Sequence, residues 1–292
     1  MTSPRRSFLK KGIAATAGFT CGLSQLRSAK RASPPMFTEF GLNAGFGGAT
    51  AARKAGFHYL LRPTRQFLKP NEPESAFEEQ LRLLEKSPIP VKSCNSFLRG
   101  PALRSVGPDA KVDNVLRFAE TAFRRAKRAG VTVIVFGSGG SRAIPEGWTK
   151  QQVDAEFIPL LQKLGPMAQS YEVTVAVENL AAQECNYLSL VSEVGEIVAE
   201  VDHPNVRVLA DFYHASRMEE SPKAFEKYAP LMAMVEIAEK DGRTAPGING
   251  QNFRPYFSAL RRGGYHGPIE IEGNWTEEQL APAIATIKEQ SA

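Results

Sequence analysis

Four acidic residues sit at matching places in the second half of the chain. Glu178 ends the run Thr174–Glu178, Asp211 ends Arg207–Asp211, Glu236 lies late in Met232–Ala238, and Glu272 ends Pro268–Glu272. If these runs are consecutive strands of one sheet, the four carboxylates meet at one rim. Like charges gathered in a low dielectric repel strongly and call for a cation. An all-oxygen ligand set favours one hard or borderline divalent ion, Mg2+ or Mn2+ ahead of Co2+ or Zn2+. Any one of these acids would serve equally well as a helix cap or an ion-pair partner. It is their repeated position at strand ends that points to metal ligation by Glu178, Asp211, Glu236 and Glu272.

The elements that must position them form a repeating pattern. Strand-like runs fall at Thr38–Asn43, His58–Arg62, Val91–Phe97, Thr132–Gly137, Thr174–Glu178, Arg207–Asp211, Met232–Ala238 and Pro268–Glu272. Between them the apolar spacing becomes helical, as in Phe77, Leu81, Leu84 and in Val115, Phe118, Ala119, Ala122, Phe123, Ala126. Glycine stops such as Gly130 and Gly263-Gly264 end these stretches. Eight strand–helix units predict an α/β fold, a (β/α)8 barrel forming a single domain over 36–292. The rival, a doubly wound open sheet, would normally carry fewer strands and a glycine-rich phosphate turn after the first. In Val173–Glu178 the valines share one face and Thr174, Ala176 and Glu178 the other. The smaller face is expected to point into the barrel and to end in a carboxylate.

The chain has 292 residues, 42% hydrophobic and 23% charged, a composition that excludes disordered, collagenous and coiled-coil classes. Its net charge is +5, but residues 1–35 hold Arg5, Arg6, Lys10, Lys11, Arg27, Lys30 and Arg31 and no acid. Removing those seven positives leaves −2 for the remainder, so the overall basicity gives no support to a nucleic-acid surface. The basic stretch runs into the uncharged segment Gly12–Leu23, which is too short to span a bilayer. Arg5-Arg6-Ser7-Phe8-Leu9-Lys10 resembles the twin-arginine export signal, with Pro4 where Ser or Thr is preferred. That resemblance implies a signal peptide and linker over 1–35, the twin-arginine translocase as a transient partner, and a periplasmic product with no stable membrane insertion. Beyond Cys21, Cys94 and Cys185 make no disulfide framework.

Over its whole mature part, and most clearly from Val131 to Trp275, the chain resembles the xylose-isomerase-like barrels, which include tagatose and psicose 3-epimerases, hydroxypyruvate isomerase and inosose dehydratase. The segments that carry this are Val175-Ala176-Val177-Glu178-Asn179-Leu180 with Glu184 and Asn186, and Ala210-Asp211-Phe212-Tyr213-His214. Glu236-Ile237-Ala238-Glu239 with Arg243 and Pro246-Gly247, and Gly264-Tyr265-His266-Gly267-Pro268-Ile269-Glu270-Ile271-Glu272, complete the order. The resemblance implies that Glu178, Asp211, Glu236 and Glu272 hold the metal and that Glu178 and Glu272 remove and return a proton. It also implies that Glu184, His214 and Arg243 bind substrate. This chain departs from the pattern at Glu236, where the family usually has His or Gln, and at Met234, where a His often stands.

The expected chemistry is metal-dependent isomerisation or epimerisation of a small unphosphorylated keto-sugar or hydroxyketone through an enediolate. Elimination from a keto-sugar begins with the same proton abstraction, and a non-catalytic carbohydrate-binding barrel is the third reading. Only four histidines, His58, His203, His214 and His266, and a negative charge on the mature part weigh against a three-zinc apurinic endonuclease. Arg62 is expected at solvent or on an anionic substrate group, and Glu270 deep in the barrel with a basic partner. The turn Gly137–Arg142 is expected on the substrate side, with Trp148 as a stacking platform. A homo-oligomer is compatible with all of this.

Overall fold

A computed structural model of the chain describes residues 35–292, so the export signal lies outside the described residues. Eight parallel strands close into a barrel in chain order. They are β1 (Phe37–Asn43), β2 (Tyr59–Pro63), β3 (Val91–Asn95), β4 (Val133–Phe136), β5 (Thr174–Glu178), β6 (Val206–Asp211), β7 (Met232–Ile237) and β8 (Gly267–Ile271). β1 pairs with β2 on one side and β8 on the other, which rules out the open sheet. Each strand expected from the sequence recurs to within two residues at either end. The outer ring is α1 (Ala49–Ala55), α2 (Glu74–Glu85), α3 (Val112–Ala129), α4 (Lys150–Ser170), α5 (Val191–Val201), α6 (Lys223–Tyr228), α7 (Arg254–Arg262) and α8 (Glu277–Gln290).

Helix α3 shows how the pattern becomes structure. Its Val115, Phe118, Ala119, Ala122, Phe123 and Ala126 are buried against the sheet. The Phe123 ring stacks on Phe97 at 5.7 Å between centroids, and Phe97 meets Phe136 edge-on at 5.8 Å. Burying each such side chain contributes roughly 1.5–3 kcal/mol. The helix ends where Gly130 adopts φ of 74° and donates to the carbonyls of Ala126 and Lys127, a conformation open to glycine without strain.

Strand parity sorts the sheet into two faces. Val175 and Val177 join the core between sheet and helices. Val135, Ala176, Leu209 and Met234 form a separate apolar cluster inside the barrel, with Val135 opposite Ala176 and Leu209 opposite Met234. Glu178, Asp211 and Glu236 each stand two residues beyond a member of that layer, so the barrel is floored by apolar side chains directly below its acids. β8 differs, because Glu270 occupies the place two residues before Glu272. No helix among the described residues is long and apolar enough to cross a membrane. Cys94 and Cys185 are both buried and free.

Candidate active site

The four strand-end acids converge as their positions predict. One carboxylate oxygen from each of Glu178, Asp211, Glu236 and Glu272 lies within 4.8 Å of the other three. Glu178, Asp211 and Glu236 are buried, and Glu272 is partly exposed. At that spacing each ionised pair repels by roughly 3–4 kcal/mol even at an effective dielectric of about 20. The protein offsets this only in part. Asp211 Oδ2 and both carboxylate oxygens of Glu236 are buried without a hydrogen-bond partner. Such orphaned acceptors in a water-poor site fit an oxygen-coordinated divalent ion at their centre.

Burial is the first cause that raises the Glu178 carboxyl well above its ordinary range, and Glu272 and Asp211 add to it. Glu236 is raised well above its range too, by burial and then by Glu272, Glu178, Glu270 and Asp211. Asp211 and Glu272 are also raised by burial, tempered in both cases by the Arg243 guanidinium. Arg243 is thus the cation already present. It donates to the Glu272 carboxylate, lies 3.9 Å from Asp211 Oδ2, and stacks over the Tyr213 ring at 4.6 Å.

Several residues with no assigned role in the sequence hold this arrangement. A Cβ placed on Gly137, just beyond β4, would fall 1.6 Å from Glu178 Oε2, so only glycine leaves room for that carboxylate. The Arg142 side chain is wholly buried and donates to the carbonyls of Phe136 and Glu178, tying together the ends of β4 and β5. Asn179 braces β5 to β6 by donating to Asp211 O at 3.2 Å and accepting from Asp211 N at 2.9 Å. Asn95, at the end of β3, donates to Glu272. The inward parity of Ser93 and Asn95 is the signal that marks the last of these; for Arg142 no periodicity does.

His214 is buried rather than at the surface. Its Nδ1 accepts from the Ala181 backbone N–H at 3.2 Å, so the proton sits on Nε2, which faces Glu178 Oε1 at 3.6 Å and Asp211 Oδ2 at 3.7 Å. Burial pushes its pKa down to about 4, so the ring is a neutral donor at ordinary pH. Glu184 is half exposed, 3.6 Å from Arg217 Nη1, a cation that carried no signal in the sequence. Glu178, Glu184, His214, Arg243 and Glu272 line a cleft of about 430 Å³ together with Asn95, Arg99 and the Gly137–Gly140 turn. The turn therefore faces the cleft as expected.

Three expectations fail. Trp148 packs on the outer core and does not line the cleft. Arg62 is half-buried, only partly at solvent, and stays outside the cleft; its guanidinium lies over the Phe46 ring at 5.0 Å and donates to Ala44 O. Glu270 is fully buried but has no basic partner among the described residues. It accepts from Ser93 Oγ at 2.6 Å beside the Tyr59 phenol, and burial pushes its pKa up to about 7. An uncharged deep partner replaces an ion pair because a proton can neutralise Glu270 at less cost than a second buried charge.

Residues 49–290 match the family model described as the xylose isomerase-like TIM barrel. The chain is 26% identical over 230 residues to 2-oxo-tetronate isomerase of Haemophilus influenzae, covering 76% of this chain and 84% of that one. It is similar in fold to D-allulose 3-epimerase from Methylomonas sp., at TM-score 0.72 and 19% identity, covering 88% of this chain and 99% of that one. A further likeness is to the IolI protein solved with a zinc atom, at TM-score 0.66 and 16% identity, covering 87% and 96% of the two chains. The chain belongs to the xylose isomerase-like TIM-barrel family, whose members include sugar isomerases and epimerases.

Proposed function

We propose that this family member is a divalent-metal-dependent isomerase or epimerase of a small unphosphorylated keto-sugar or hydroxyketone. The reading rests chiefly on one observation, four carboxylates within 4.8 Å of one another, three of them buried, among which Asp211 Oδ2 and both Glu236 oxygens have no hydrogen-bond partner. Glu178, Asp211, Glu236 and Glu272 would hold the ion, Mn2+ or Mg2+ by their oxygen chemistry. A bound ion would supply the positive charge that stabilises a substrate oxygen as it becomes anionic.

The chain's own groups account for the rest. Glu178 and Glu272 stand on opposite flanks of Asp211 and Glu236 in strand order, and they move the proton between substrate carbons or faces. Glu178 acts as a base in its ionised form, in the space Gly137 leaves for its carboxylate and with its backbone carbonyl braced by Arg142. Arg243 and Asn95 keep Glu272 oriented. His214 Nε2–H donates to a substrate oxygen as charge builds on it. Glu184 binds a hydroxyl at the cleft wall. The twin-arginine-like segment supports export to the periplasm through the translocase, which suits an unphosphorylated substrate.

The test is proton exchange. With Mn2+ present, NMR in deuterated water with a panel of ketoses and hydroxyketones, 2-oxo-tetronate among them, is expected to show deuterium at the carbon beside the carbonyl together with the isomer. E178Q is expected to lower that exchange by at least a hundredfold. An unsaturated or cleaved product would replace this reading with elimination.

A further inference from the structure

The loop after β7 carries Arg243, and its folding centres on one side chain that contributes nothing directly to the cleft. Glu239 is fully buried and has no basic partner within 4 Å among the described residues. Its carboxylate instead accepts four hydrogen bonds from the loop itself. Oε1 accepts from Gly247 N at 2.9 Å and Gln251 N at 3.1 Å; Oε2 accepts from Asn249 N at 2.5 Å and Thr244 Oγ1 at 3.0 Å. The Glu239 N–H also donates to Thr244 O at 2.8 Å. Segment 239–251 is therefore wrapped around one carboxylate.

The wrapping has a cost that identifies its purpose. Gly242 and Arg243 adopt φ of 72° and 50°, consecutive left-handed residues, and for arginine that conformation persists only where its surroundings impose it. Its surroundings are the end of β8. Asn274 N donates to Arg243 O at 2.7 Å and Ala245 N to Asn274 O at 2.9 Å, while Arg243 Nε donates to Glu272 O at 3.2 Å. The loop also reaches β6, because Gln251 Nε2 donates to Ser216 Oγ in the short helix that follows Asp211.

We infer that Glu239 is a positioning residue. Its buried carboxylate is the template on which the β7 loop folds, and through that loop it presses Arg243 onto Glu272. The charge matters as well as the shape. An ionised carboxylate accepts from all four donors, whereas a glutamine keeps one acceptor oxygen and turns an NH2 toward backbone N–H groups. A carboxylate freed of Arg243 gains affinity for any other cation. Glu239 thereby restrains the metal affinity of the cluster, an effect whose sign is opposite to ordinary structural damage.

The Mn2+ arm of the test rests on the proposed metal site, and the proteolysis arm does not. By calorimetry, R243A is expected to bind Mn2+ about tenfold more tightly than wild type, and E239Q to tighten it in the same direction. In E239Q/R243A the second change is expected to add less than twofold, since both act through one contact. T244V, which removes one of the four donors, is expected to give a smaller shift of the same sign and guards against misfolding of E239Q. In metal-free protein, trypsin is expected to cut E239Q after Lys240 or Arg243 at least tenfold faster than wild type. Weakened Mn2+ binding in E239Q, additive effects in the double variant, or unchanged cleavage would each overturn the inference. If wild type binds no Mn2+, the metal reading falls and the cleavage rates alone decide the role of Glu239.

Discussion

At the residue scale, the acids of the cluster conflict with one another in the absence of a cation, and substitutions should expose that conflict. Glu236→Gln keeps the shape and removes one of four crowded charges. Metal-free protein carrying it is expected to melt higher than wild type at pH 8, while its Mn2+ affinity drops about tenfold to a hundredfold, as read by thermal denaturation and calorimetry. A lower metal-free melting point would mean that Glu236 is already neutral or paired. Gly137→Ala tests the opposite case, a residue valued for the space it leaves. Its added Cβ would overlap Glu178 Oε2, so the carboxylate must turn away. Proton exchange and Mn2+ affinity are both expected to fall at least tenfold, with a circular-dichroism spectrum like wild type. Wild-type exchange in this variant would show that Glu178 does not need its observed position.

At the element scale, the strands were legible because period-two alternation and glycine stops are local signals. Ala176 and Glu178 share a parity, and no distant contact is needed to read it. The four acids are legible for the same reason, since three end such a run and Glu236 lies late in its own. What stayed hidden are the braces between strand ends: Arg142 on the carbonyls of Phe136 and Glu178, Asn179 on Asp211, and Glu239 inside its own loop. These depend on which ends become neighbours, which a one-dimensional pattern does not encode. The partner of Glu270 is not legible in this way, because parity gives depth but not partners, and Ser93 lies 177 residues away. The packing of the outer ring is expected to behave independently of the rim. Phe123→Ala, which empties the space against Phe97, should cost about 3–5 kcal/mol in denaturant unfolding while leaving Mn2+ affinity of the folded protein unchanged. A large loss of metal affinity there would tie the core to the site more closely than the separate interior layer suggests.

At the scale of the whole molecule, the cluster sets how stability responds to pH. Unfolded carboxyls titrate near 4.5, and burial raises Glu178, Glu236 and Glu270 above that, Glu270 to about 7. Between the unfolded and folded values the native chain binds more protons, so stability is full below the unfolded value and is lost as pH climbs through the folded ones. His214 acts in the opposite sense, because its lowered pKa adds stability as pH rises from about 4 to the ordinary imidazole value of 6.5. The clean window therefore starts at pH 6.5. From there to pH 8.5, metal-free protein is expected to lose melting temperature, each titrating carboxyl removing at most about 1.4 kcal/mol per pH unit. Saturating Mn2+ is expected to flatten that slope, since a bound cation favours the ionised acids. A metal-free melting point that rises across the window would contradict the raised values. The central claim, that the barrel gathers its acids around a cation, is tested most directly by a crystal grown with Mn2+ and measured at the manganese absorption edge. One anomalous peak per chain is expected, about 2.0–2.3 Å from an oxygen of each of Glu178, Asp211, Glu236 and Glu272. No peak at the rim, with the four carboxylates still converged, would contradict it.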